Sequence, residues 1–166
     1  NLANNSNREA RRRTFAEQDF DPFTIATTFH SLETTMAKAE GERPKILDVG
    51  QCDHDHGKLV GFLSGRFGAE LDRAHGLDDA RTLLERSRYR LVLVNRLLDA
   101  DQTPGLDIIK ALKADADPKL SGAPIMLVSN FPEAQQEAVE AGAVPGFGKA
   151  QFDDPEVVRR VSTILE

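Results

Sequence analysis

The sequence predicts an α/β domain over residues 43–166, a doubly wound five-stranded parallel sheet, with an extra amphipathic helix ahead of it. Three observations point there. Short apolar runs alternate with amphipathic segments from residue 43 onward, the pattern of βα units that build a parallel sheet. Two of those runs, Leu91-Val92-Leu93-Val94 and Ile125-Met126-Leu127-Val128, are apolar on both faces, as strands covered by helices on two sides must be. Several helix ends carry the residues that start or stop a helix chemically.

Residues 1–20 are polar, with basic positions at Arg8, Arg11, Arg12 and Arg13 and no sustained apolar period, which reads as a solvated arm or linker. The segment 21–42 is different. Asp21 before Pro22 is an N-cap followed by proline at the first helical position, Ile25, Phe29, Leu32 and Met36 then recur at helical spacing, and Gly41 supplies a stop. The resulting helix, about 22–40, carries an apolar stripe that has to be covered by its own domain, by a second copy or by a partner. Beyond it, strands are predicted at 46–49, 70–74, 91–94, 124–128 and 144–148, and helices at 55–67, 77–87, 105–115, 132–141 and 155–165. Gly68 and Gly142 sit where C-cap glycines belong, and Asp154-Pro155 repeats the cap-then-proline start. The second strand is polar enough to be an edge. Right-handed crossovers wind such units on both faces of the sheet and put the functional crevice at the carboxyl ends of the strands.

At those ends stand Gly50-Gln51, Asn95, Ser129 and Lys149. The five units, the stretch Ala138-Val139-Glu140-Ala141-Gly142-Ala143 and the lysine beyond the last strand together resemble the receiver domain of bacterial two-component response regulators, over about three quarters of the chain. The resemblance implies a flavodoxin-like sheet of order 2-1-3-4-5. In that family an acidic pair follows strand one, a phosphorylated aspartate ends strand three, a Ser or Thr ends strand four and a lysine ends strand five. Ser129 and Lys149 match the last two positions. Asn95, Gly50 and Gln51 fail the first two, so this would be a degenerate receiver with asparagine at the phosphoacceptor position.

Phosphoryl transfer to a receiver needs a carboxylate nucleophile and a magnesium ion held by carboxylates. An asparagine amide is no comparable nucleophile, Gly50 has no side chain, and Gln51 offers a neutral carbonyl. Losing three carboxylates while keeping Lys149 should leave a pocket that is neutral to positive. Lys149 is expected to point into the crevice and to hydrogen-bond the Asn95 side-chain carbonyl. Other family features depart too: Gly105 opens the next helix about two residues late, Ala150 replaces the proline after the lysine, and Gly146 holds the aromatic switch position, with Phe147 displaced by one. The implied function is a phosphorylation-independent signalling module that catalyses nothing, needs no cofactor or metal, and acts by contact with proteins of a two-component or related pathway. A homodimer is one way to cover the Ile25, Phe29, Leu32 and Met36 stripe. Two rivals stay open: an active receiver using a displaced acid such as Asp53 or Asp99, and a sensor that binds an anion or small ligand at Asn95, Ser129 and Lys149.

Composition sets the outer bounds. With 40% hydrophobic and 29% charged residues the chain should fold, and its net charge of −6 argues against a nucleic-acid surface. Cys52 is the single cysteine and no apolar run reaches membrane-spanning length, which fits a reducing, cytoplasmic setting and no membrane partner. The chain opens on Asn1 without a signal-peptide pattern, so a trimmed start and a start inside a longer protein both remain open. Cys52-Asp53-His54-Asp55-His56 gathers metal-type ligands but lacks zinc-finger spacing, and the simpler reading makes Asp53 or Asp55 an N-cap with solvated histidines. Asp48 falls in a strand that should be buried, where a carboxylate needs a partner. Gly61, Gly65 and Gly68 lie on or after a helix and form no dinucleotide loop, and neither a nucleophile elbow nor a phosphate-cradling Gly-Lys-Ser motif is present.

Overall fold

A computed structural model describes residues 42–166, so the predicted helix 22–40 and its stripe of Ile25, Phe29, Leu32 and Met36 lie outside the described residues. The strands are β1 (Lys45–Val49), β2 (Glu70–Ala74), β3 (Leu91–Asn95), β4 (Ile125–Val128) and β5 (Val144–Phe147). The helices are α1 (Asp53–Phe67), α2 (Leu77–Arg86), α3 (Gly105–Lys113), α4 (Pro118–Ser121), α5 (Pro132–Glu140) and α6 (Pro155–Leu165). All neighbouring strands pair in parallel, in the order β2-β1-β3-β4-β5. The polar second strand is therefore an edge, as expected.

Strand alternation sends side chains to two cores. Leu47, Val49, Val92, Val94, Ile125 and Leu127 face α2, α3 and α5, where Leu84, Ile109 and Leu112 meet them. Ile46, Leu91, Leu93, Met126, Val128 and Phe147 face α1 and α6, against Leu59, Leu63, Val157 and Val161. Each fully buried aliphatic side chain contributes roughly 1.5–3 kcal/mol, which is why apolar runs on both faces were the strongest strand signal. On the second face Phe62 stacks on Phe152 and meets Phe147 edge-on, so Phe147 is a core residue there.

Two elements depart from expectation. Helix α1 begins at Asp53, two residues early, and its N-cap is Cys52, whose backbone is extended and whose side chain makes no cap bond. Neither Asp53 nor Asp55 is the N-cap: both lie in the first turn, where the helix dipole favours them and where each finds a distant cation instead. Helix α4 was not predicted. Asp117 caps it by accepting the Lys119 N–H at 2.9 Å, with Pro118 in the first turn, the same cap-then-proline start that Asp154-Pro155 gives α6. Lys113 ties it down by donating to the Ser121 and Ala123 carbonyls at 3.1 and 2.7 Å.

Candidate functional site

The carboxyl ends of β1, β3, β4 and β5 bring Gly50, Gln51, Asn95, Ser129 and Lys149 to one end of the sheet. The space beside Gly50 is taken by the loop after β3. Leu98 is buried there, held by a bond from its N–H to the Thr103 carbonyl (2.9 Å) and by the bridge between Leu97 and Pro104. Gly50 adopts φ +77°, and a Cβ built on it would stand 2.3 Å from the Leu98 Cγ. Any side chain at 50 would thus meet both backbone strain and a collision. The loop Leu97–Pro104 ahead of Gly105 sets this leucine against Gly50 at the end of β1.

Asn95 is a staple rather than a free end. Its amide nitrogen donates to the Gly50 carbonyl at 3.1 Å and to the Leu97 carbonyl at 2.7 Å, while the Asp99 N–H donates to the same Gly50 carbonyl at 2.9 Å. The amide therefore joins β3 to the end of β1 and to the start of its own loop. Ser129 is buried, and its hydroxyl accepts the Phe131 N–H at 3.1 Å. Asn95, Ser129 and Lys149 line a crevice of about 210 Å³ together with Arg96 and Phe131, whose exposed ring lies 4.6 Å below the Arg96 guanidinium. The hydrogen bond expected between Lys149 and Asn95 does not form. Instead the Lys149 ammonium donates to Asp55 at 2.5 Å, across 94 residues of sequence. The crevice is consequently less positive than residue identities alone implied, because Asp55 returns one of the missing negative charges.

A chain of ion pairs runs along the start of α1. Arg73 on β2 donates to Asp53 at 2.5 Å and to the Gln51 backbone carbonyl at 2.7 Å, fastening the loop after β1 to the edge strand. Asp48 is 0% exposed and accepts from the His56 Nδ1 at 2.6 Å, while its second oxygen has no partner among the described residues. Burial pushes the Asp48 carboxyl above its ordinary value, against the opposing pulls of the His56 bond and of the His56, Arg73 and Lys149 charges. The Lys149 hydrogen bond holds Asp55 below its ordinary value, and the Arg73 hydrogen bond does the same for Asp53. A depressed carboxylate stabilises the fold above its unfolded value of about 3.8 and stops doing so as pH falls through its lower folded value. Lys149→Gln is accordingly expected to cost about 1–2 kcal/mol at pH 7, with the difference from the parent shrinking as pH falls below 3.8 and through the lowered Asp55 value; urea titrations at pH 7 and at a series of acid pH values check this.

The receiver-like fold implies a divalent cation at these strand ends, and the donor set does not suit one. Gly50 supplies no ligand, Gln51 is 1% exposed, uncharged and without a partner for its amide atoms among the described residues, and the Leu98 side chain occupies the space beside Gly50. Among the described residues no group of three or more His, Cys, Asp or Glu could hold a metal ion, and the Cys52 to His56 cluster divides its side chains between Arg73, Lys149 and Asp48. Residue-by-residue reading missed Arg73, Gln135 and Leu98. Gln135 donates from α5 to the Leu127 and Ser129 carbonyls and accepts the Gly146 N–H, stitching β4 to β5 where their register shifts. Nothing local to Gln135 signals that role. Gly146 itself admits no larger side chain, since a Cβ there would lie 2.0 Å from the Leu127 carbonyl oxygen.

No family model matches the sequence, and no curated protein does. Solved structures do. A putative response regulator from Chloroflexus aurantiacus is 24% identical over 75% of this chain and 98% of its own, with a TM-score of 0.62. The signal receiver domain of a DNA-binding response regulator from Colwellia psychrerythraea is 19% identical over 73% of this chain and 97% of its own, at 0.59. The chemotaxis protein CheY4 of Vibrio cholerae is 17% identical over 75% of this chain and all of its own, at 0.57. At these identities the likeness is one of fold: the five-stranded parallel sheet of order 2-1-3-4-5 and its surrounding helices match the flavodoxin-like receiver fold.

Proposed function

We propose that residues 43–166 form a receiver-like signalling module that works without phosphorylation, by contact with protein partners of a two-component or related pathway, and catalyses no reaction. Residues 1–20 would be an arm and 21–42 a helix whose stripe a second copy, a partner or the module itself covers. The observation that carries this reading is the Asn95 amide, whose nitrogen is spent on the Gly50 and Leu97 carbonyls at the position where a receiver would present its nucleophile. A carboxylate oxygen cannot donate those bonds, so the site is built around an amide.

The rival readings have less support. Asp53 is engaged by Arg73, and the Asp99 side chain is exposed with no cation paired to it among the described residues. An anion held at Asn95, Ser129 and Lys149 would have to compete with Asp55 for the ammonium. The test is incubation with magnesium and acetyl phosphate followed by intact-mass and peptide mass spectrometry. No phosphoryl adduct is expected, since positioning alone does not replace a missing nucleophile. An adduct on Asp53, Asp55, Asp99 or Asp101 would overturn the reading in favour of an active receiver with a displaced acid.

A further inference from the structure

A groove of about 610 Å³ lies at the opposite end of the sheet from the strand-end crevice. It opens between the turn leading into β3 and the turn leading into β4. Its floor is apolar: Tyr89 is 5% exposed, Leu84 and Ala123 are buried, and Pro124 and Ile164 are half-buried beside them. Its rim is basic. Arg86, Arg88, Arg90 and Lys119 are all exposed, and none of them makes an ion pair among the described residues. Glu85 is the one acid on the lining, so the groove carries four cations against one carboxylate, a local +3, on a chain whose net charge is −6.

We propose that this basal groove docks an acidic amphipathic segment of a protein partner. The charge alone would suit any anion, and the floor decides among anions. Apolar side chains of a peptide gain by filling an aliphatic trough, whereas a nucleic acid gains from stacking faces, and here the aromatic ring is sunk below the surface with its hydroxyl bound to Asp72 at 2.7 Å. Among the described residues that line the trough the charged ones, Glu85, Arg86, Arg88, Arg90 and Lys119, are all exposed, which suits partner carboxylates at the edge better than a small polar ligand held at the floor. The rim is suited to carboxylates in particular. Three of its four cations, Arg86, Arg88 and Arg90, carry guanidinium groups, which bind carboxylates two-pronged. A strand of five residues, roughly 16 Å long, separates this end of β3 from Asn95, so docking here does not depend on the strand-end crevice or on its state.

The test uses the full chain and two fluorescein-labelled peptides of equal charge, one alternating Glu with Leu and Phe, the other alternating Glu with Ser. Fluorescence anisotropy should show the Glu/Leu/Phe peptide bound at least tenfold more tightly than the Glu/Ser peptide. Arg88→Glu with Arg90→Glu should weaken it at least tenfold without moving Tm, because both side chains are exposed. Ile164→Ser should narrow the gap between the peptides by cutting back one side of the floor, and Arg88→Lys should weaken the Glu/Leu/Phe peptide severalfold, because an ammonium cannot bind a carboxylate two-pronged. Equal binding of the two peptides, no binding by the parent chain, or tighter binding of a single-stranded oligothymidine that is lost in the same charge-reversed variant would each overturn the proposal.

Discussion

Asn95→Asp is expected to destabilise the domain by about 2–4 kcal/mol at pH 7 and to remain unphosphorylated. The parent amide donates to the Gly50 and Leu97 carbonyls at 3.1 and 2.7 Å. An aspartate would turn a carboxylate oxygen toward the same two carbonyl oxygens, removing two hydrogen bonds and adding repulsion, and each polar group left unpaired costs roughly 1–3 kcal/mol. The pH dependence carries a definite sign. A carboxyl facing acceptors is favoured in its protonated, donating form, so its folded pKa rises above 3.8; the stability it confers is present below that value and lost as pH climbs through the raised one. The deficit should therefore shrink in acid. Urea titrations between pH 4 and 8 measure it, and mass spectrometry after exposure to magnesium and acetyl phosphate measures the second half. A variant as stable as the parent, or one that accepts a phosphoryl group readily, would show that the Asn95 amide is not the staple described and that magnesium finds ligands elsewhere.

His56→Ala is expected to cost about 2–3 kcal/mol, because it leaves a fully buried carboxyl without the one hydrogen-bond partner it has among the described residues. Asp48 sits in β1 between Arg73 and Leu93 of the neighbouring strands, fully buried, with His56 as its one hydrogen-bond partner among the described residues. Burial already raises the Asp48 carboxyl above its ordinary value, so its protonated form is the one the fold prefers. That contribution is complete below about pH 3.8 and fades as pH rises through the folded value, and losing His56 pushes the folded value higher still. The variant should thus be weakest at neutral pH and approach the parent in acid. Adding Asp48→Asn to His56→Ala should recover part of the loss, since the amide removes the buried charge. A double variant less stable than His56→Ala alone would mean that Asp48 is held by something other than this pair.

Much of the architecture was legible residue by residue. Strands three and four announced themselves as apolar runs, α6 by Asp154-Pro155 and α1 by the Gly68 stop, because period, caps and C-cap glycines act within a few residues of where they stand. The identities at the strand ends were equally plain: Asn95, Gly50 and Gln51 differ chemically from carboxylates whatever the surroundings. Proximity was another matter. That Lys149 answers Asp55 rather than Asn95, that Arg73 answers Asp53, and that Leu98 closes the space beside Gly50 are facts about residues that the fold brings together from 94, 20 and 48 positions apart.

The start of α1 shows why the division falls there. Starting the helix at Asp53 puts Asp53 and His54 into its first turn ahead of Asp55 and His56, and successive residues then point about 100° apart around the axis, at 3.6 residues per turn, so neighbours in sequence meet different partners: Asp53 meets Arg73, Asp55 meets Lys149 and His56 meets Asp48. Local chemistry at Cys52-Asp53-His54-Asp55 offers Asp53 or Asp55 as the cap, and the helix instead starts after Cys52. The choice was made by cations on β2 and after β5 and by a buried carboxylate on β1, which only the assembled sheet sets within reach. Sequence by itself determined the order of units and the chemistry available at the strand ends; tertiary structure decided which charges meet, because an ion pair depends on distance in space, and distance along the chain says nothing about it.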